Sequence, residues 1–222
     1  AGQLVKFGDG SLTLDTKVTA LDGTVSYKGN DYDGGTLISG GLLIVNDNKD
    51  LGKANTNVAI TGGTLQIAND ITLERNIVTS TTAGGSISTA GHNVVLEGAV
   101  FNGGNGGHLV KSGAGKLTLT SALSDYNFGT TKDIVSNEDI ARVGNTVING
   151  GALSVAKDEF LGVKQKQFSD GGLTQAEWDR GNLLIDGGTL EITAGLVSQR
   201  TVNIGAAGAT IDVVVAGEVN KT

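Results

Sequence analysis

The sequence predicts an all-β chain wound as a β-solenoid, and three observations carry that prediction. The first is an internal repeat: Leu4-Val-Lys-Phe-Gly-Asp-Gly-Ser-Leu-Thr-Leu14 returns as Leu109-Val-Lys-Ser-Gly-Ala-Gly-Lys-Leu-Thr-Leu119, with eight of eleven positions identical. The second is the pattern inside that repeat. Glycines suited to a tight turn lead into Leu-Thr-Leu, whose side chains point in, out and in when the chain is extended. The third is composition: 36 glycines and no proline in 222 residues, without a Gly-X-Y period, which excludes collagen and leaves frequent tight turns.

Taken in order, the two halves of the chain align throughout. After the opening copy, Gly40-Gly-Leu-Leu-Ile-Val45 and Leu51-Gly52 correspond to Gly150-Gly-Ala-Leu-Ser-Val155 and Leu161-Gly162, both displaced by 110 positions. Then Ile60-Thr-Gly-Gly-Thr-Leu-Gln-Ile67 corresponds to Ile185-Asp-Gly-Gly-Thr-Leu-Glu-Ile192 at a displacement of 125, so fifteen residues are inserted between the two marks. Within each half the Gly-Gly turn and its alternation recur about every 20 to 25 residues, the length of three short strands and their turns. Rungs of that kind stack about 4.8 Å apart and pair strand on strand in parallel, and roughly nine fit in the chain. The inward ladder is expected to hold Leu12, Leu14, Leu43, Val45, Leu65, Ile67, Leu117, Leu119, Leu190 and Ile192, with the intervening Thr, Ser, Gln and Glu in water. A sandwich of antiparallel hairpins is the competing reading that alternation permits; a sandwich has no reason to repeat in register.

The chain is expected to form a single unit over 1–222, with supra-repeats at 4–108 and 109–219. Two stretches, 124–145 and 158–181, are richer in charge and aromatics than the coils around them and read as excursions. In the second, Thr174-Gln-Ala-Glu177 fits a capping box ahead of the lone tryptophan, Trp178, and predicts a helical turn. Ser136-Asn-Glu-Asp139 before Ile140 and Val143 gives a weaker signal of the same kind. Because binding residues concentrate on loops that leave a rigid scaffold, Tyr126, Phe128, Phe160, Lys164, Lys166, Phe168, Trp178 and Arg180 are the candidate partner-binding residues.

Composition removes several function classes. The formal net charge is −7 and the basic residues are scattered, which argues against a phosphate backbone as partner. Without cysteine there is neither a disulfide framework nor a cysteine zinc site. No apolar run approaches the roughly 20 residues of a membrane helix. The start, Ala-Gly-Gln-Leu-Val-Lys, lacks a charged-then-apolar leader and falls in mid-pattern, as in a segment of something longer.

Individual motifs add no chemistry. Gly8-Asp-Gly-Ser11 has the serine and glycine of a serine-protease nucleophile transposed. Gly113-Ala-Gly115-Lys116 lacks the upstream glycine of a phosphate loop and has Leu117 in place of its Ser/Thr. His92 and His108 are sixteen positions apart beside glycine-rich turns and form no two-histidine metal signature. Asp31-Tyr-Asp33-Gly34 and Asp47-Asn-Lys-Asp50 hold carboxylates a calcium loop would use, yet neither continues to the completing glutamate. No catalytic residue, cofactor or metal is therefore assigned.

The Gly-x-Gly-x-Leu-Thr-Leu and Gly-Gly-Thr-Leu-x-Ile units resemble the passenger-associated repeats of Gram-negative autotransporters, the type V secretion family. One such repeat is matched from Leu109 to Val155, with Asp125-Tyr-Asn-Phe-Gly-Thr-Thr131 resembling the family's short link and 132–145 extending it. The resemblance implies a right-handed parallel β-helix at the bacterial surface or secreted from it, exported with an outer-membrane β-barrel of the same precursor. It also implies a non-enzymatic adhesin or effector that engages a host-cell receptor or matrix protein. Alternatively, it implies the stalk of a larger passenger whose protease, esterase or toxin module lies elsewhere.

Overall fold

The computed structural model describes residues 2–79, 85–102, 108–121, 128–132, 139–143, 146–161, 183–198, 200 and 202–214. Among these, three sheets are built wholly from parallel pairs. Sheet one stacks Leu4–Lys6, Thr36–Ile38, Val58–Ile60, Ile77–Thr79 and Val100–Asn102. Sheet two stacks Ser11–Leu14, Leu42–Val45, Thr64–Ile67, Gly85–Ser88, Leu109–Ser112, Thr146–Ile148, Leu183–Ile185 and Val202–Ile204. Sheet three stacks Ile71–Leu73, Asn93–Leu96, Lys116–Leu119, Ala152–Val155, Gly188–Ile192 and Ala209–Val213. From Val58 to Leu119 the chain visits sheets one, two and three in rotation, and register partners there lie 19 to 24 positions apart. That arrangement is consistent with a β-solenoid. Parallel strands cannot be joined by tight hairpins, so the antiparallel sandwich is set aside.

Alternation and burial agree strand by strand. Leu65 and Ile67, Leu117 and Leu119, and Leu43 and Val45 are buried, each with a partly exposed residue between them. They form one continuous aliphatic core with Ile60, Leu96, Ile148 and Ile185. Leu190 joins it, while Leu14 and Ile192 pack against it half-buried. Leu12 is 36 % exposed, and Ser11–Leu14 is the outermost strand of sheet two among the described residues.

Corresponding strands of the two halves lie on different faces. Leu4–Lys6 lies in sheet one and its copy Leu109–Ser112 in sheet two; Ser11–Leu14 lies in sheet two and its copy Lys116–Leu119 in sheet three. In both halves the same strand leads into an antiparallel hairpin, Lys17–Thr19 with Val25–Tyr27 in the first and Phe128–Lys132 with Asp139–Val143 in the second. The expected helix start at Ser136-Asn-Glu-Asp139 is thus corrected, because Asp139–Val143 is a strand in the second hairpin.

Each half also carries a 3-10 turn at the corresponding place, Asn48–Leu51 and Asp158–Leu161. Thr36 and its copy Thr146 donate to the Leu51 and Leu161 carbonyls respectively. Residues 158–161, expected to open the second excursion, therefore belong to the repeat, and the inserted residues follow them. The predicted turn at Thr174-Gln-Ala-Glu177 lies outside the described residues.

The turn at Asn48–Leu51 lies against Ile71–Leu73, the edge strand of sheet three, and is held there by Arg75. This guanidinium is 2 % exposed and donates to the Asn48 carbonyl and Oδ1, the Gly52 and Lys53 carbonyls and Thr56 Oγ1. Burial pushes its pKa below the usual arginine value, yet a guanidinium stays protonated in a protein. Its copy Arg200 likewise bonds the Asp158 carbonyl and side chain. Arg75→Lys replaces a planar five-donor fork by three donors on one atom, and is expected to cost about 3 kcal/mol in urea unfolding. Limited proteolysis should then cut first within 47–57.

Candidate functional site

A groove on the described surface brings several polar side chains together. It forms where the turn after Asn48–Leu51 returns to sheet one, encloses about 350 Å³, and is lined by Gln3, Asp33, Gly34, Gly35, Thr36, Asn55, Thr56, Asn57, Ala59 and Val78. Its floor follows from the period of the strands. Thr36–Ile38, Val58–Ile60 and Ile77–Thr79 bury their outer residues and turn the middle one outward, so Leu37, Ala59 and Val78 lie in register along the outer face. Val5 and Phe101 continue the row at either end, making every outward position of this sheet apolar.

The rim is polar. Gln3, Asn55 and Asn57 are exposed carboxamides, and among the described residues only Asn57 has a side-chain partner, a 3.4 Å bond accepted from Asn76. Asn55 sits at φ 63°, a left-handed conformation asparagine tolerates. Asp33 carries the one carboxylate and stands 3.9 Å from the Lys53 ammonium. Main-chain bonds from Leu4 N to Gly35 O, Thr36 N to Asn57 O and Val58 N to Asn76 O fix the strands beneath.

Two buried lysines brace the glycine turns of the repeat. Lys6 Nζ donates to the Phe7, Gly8 and Gly40 carbonyls at 2.8 to 3.0 Å. Lys111 Nζ repeats this with the Ser112, Gly113 and Gly150 carbonyls at 2.8 to 3.1 Å. Among the described residues neither ammonium meets a carboxylate; Lys111 is fully buried, and burial lowers its pKa to about 8. Gly41 and Gly151 close the two cages at φ 63° and 60°, and a Cβ on either would strike turn carbonyls, so both positions require glycine.

Several of the residues weighed in the sequence have structural uses. Lys116 pairs with Glu191, two strands away in sheet three, and that carboxylate also accepts from Ser154. The Lys116 bond holds the Glu191 carboxyl below its usual pKa. His92 Nδ1 stands 3.2 Å from Asp70 Oδ1, whose pKa is lowered first by the bond it accepts from Asn93 N. Asp50 is engaged by Thr16 N and Oγ1, Asn46 N and Asp47 N, closing a capping box rather than standing open to a cation.

Of the candidate partner-binding residues, Phe160 is corrected: it is 7 % exposed and part of the core, because it lies on the repeated 3-10 turn. Phe128 lies on the backbone of the second hairpin. Tyr126, Lys164, Lys166, Phe168, Trp178 and Arg180 lie outside the described residues. The groove was missed in the sequence. An available signal was Ala59, whose copy in the second half is the larger Leu184.

Comparison with known proteins places these features. No family model matches the chain, and no solved structure matches it. Over 159 residues, 63 % of its length, the chain is 30 % identical to the adhesin BmaC autotransporter of Brucella suis biovar 1 (strain 1330), and it spans 4 % of that protein. An all-β chain of stacked parallel strands is thus similar, over most of its length, to part of an autotransporter adhesin.

Proposed function

We propose that this chain is a segment of an autotransporter passenger, a right-handed β-helix of roughly nine rungs that acts as a non-enzymatic adhesin at the bacterial surface or after release. The observation that carries the reading is the similarity to the BmaC adhesin over 63 % of the chain. The cyclic parallel sheets support it, since a stack of rungs is a rigid rod that displays loops at a distance from its anchor. In this reading the outer-membrane β-barrel of the same precursor exports the segment. Its partner, a host-cell receptor or matrix protein, is engaged by the hairpin at 128–143 and the inserted loop, through Tyr126, Phe128, Lys164, Lys166, Phe168, Trp178 and Arg180.

The insertion supplies a clean deletion. Leu51 and Val58 are seven positions apart, whereas Leu161 and Leu183 are twenty-two apart. Removing 166–180 restores the spacing of the first half, and we expect unchanged circular dichroism with loss of host-cell binding. Binding that survives both this deletion and removal of 132–145 contradicts the assignment to the excursions. A second reading, the stalk of a larger passenger, is favoured by the chain spanning only 4 % of its relative. It requires that the isolated chain bind no host cell at all.

A further inference from the structure

We propose that the groove on sheet one is a binding site for a neutral saccharide, distinct from the excursions assigned to the protein partner. A sugar presents hydroxyls that both donate and accept, around C–H faces that are apolar. The groove has the complementary parts: three carboxamides, each a donor and an acceptor, above a floor of Ala59 and Val78. Its volume of about 350 Å³ lies within the span of small-ligand sites, about 300 to 1,000 Å³. Charge points to a neutral ligand, because the only carboxylate in the lining stands beside the Lys53 ammonium.

An extended peptide fits less well. Peptides that add to sheets use open main-chain donors and acceptors. Thr36–Ile38 and Val58–Ile60 beneath the groove are paired on both sides.

The second half of the chain shows which positions make the groove. The bracing residues are the same in both halves, Lys6 and Lys111, Thr36 and Thr146, Gly41 and Gly151, Arg75 and Arg200. At three groove positions the halves differ, Gln3 becoming His108, Ala59 becoming Leu184 and Val78 becoming Asn203, whereas Asn57 is retained as Asn182. Leu184 occupies the corresponding outward position of its own strand, half-buried, within an intact sheet. A leucine at 59 is therefore compatible with the strand while filling the floor.

The test uses the full 222-residue chain, 15N-labelled and titrated with neutral manno-, cello-, malto- and chito-tetraose, with a Ser/Thr-rich extended peptide as comparison. The expected result is that at least one tetraose shifts the side-chain amides of Gln3, Asn55 and Asn57. Ala59→Leu should weaken that binding at least tenfold with the melting temperature unchanged. Asn55→Gly keeps the left-handed backbone while removing a carboxamide, and should weaken it at least threefold, which keeps the test decisive if Ala59→Leu folds poorly. The proposal is overturned if no tetraose shifts these amides, if the peptide shifts them instead, or if binding is unaltered in both variants. Host-cell adhesion through the excursions is read separately by the 166–180 deletion.

Discussion

Leu117→Asp is expected to unfold the chain or leave it cleaved at low temperature, whereas Thr118→Asp, one position along, should melt like the parent. Leu117 is fully buried in sheet three, in register with Val94 on one side and Leu153 on the other. A carboxylate there has no donor to meet it and costs several kcal/mol, against a total stability of roughly 5 to 15 kcal/mol. Because each inward side chain touches those above and below, the damage spreads along the stack. Thr118 faces outward between Val95 and Ser154, so the same change should alter stability by about 0.5 kcal/mol or less. Thermal melts and limited proteolysis on the pair read period and face together, and equal damage from both would deny the in-out alternation.

Lys111→Met should cost about 2 to 4 kcal/mol, although it removes a buried charge. The methionine fills the stem's volume but leaves the Ser112, Gly113 and Gly150 carbonyls without their donor, loosening the turn that joins two coils. The pH dependence has a definite sign. Burial lowers the folded-state pKa of Lys111 from 10.5 to about 8, so between these values the unfolded chain holds a proton that the folded chain has released. Stability from this group therefore rises with pH across that window, and below it the charged form carries its full burial cost. Urea midpoints measured from pH 7.5 to 10.5 should show this rise in the parent and lack it in Lys111→Met.

Much of the architecture was legible because it is written twice. The displacement of 110 predicts that Leu51 and Leu161 occupy matching places, and both lie on 3-10 turns held through Thr36 and Thr146. What stayed hidden depends on how the turns close in space. Side-chain alternation is the same for any sheet, so nothing in Leu-Thr-Leu reveals that the second copy lies one sheet further round. Leu12 reads as core because its copy Leu117 is core, yet it is exposed on the outermost described strand of sheet two. The first hairpin was legible in principle: Asp22-Gly23 lies between two alternating runs, and Gly23 N closes the turn onto Ala20 O. The lysine cages were not, since Lys6 and Lys111 look like surface residues until the carbonyls of two successive turns converge on them.

In-register parallel stacking across both halves is tested most directly by spin-label distances along the outward row of sheet two. With one label at Ser11 and the other at Val147, Leu184 or Asn203, the pairs are five, six and seven strands apart. Mean distances of about 24, 29 and 34 Å, growing by one strand spacing at each step, are the predicted result. Distances that fail to lengthen by about 5 Å per step would contradict the stack.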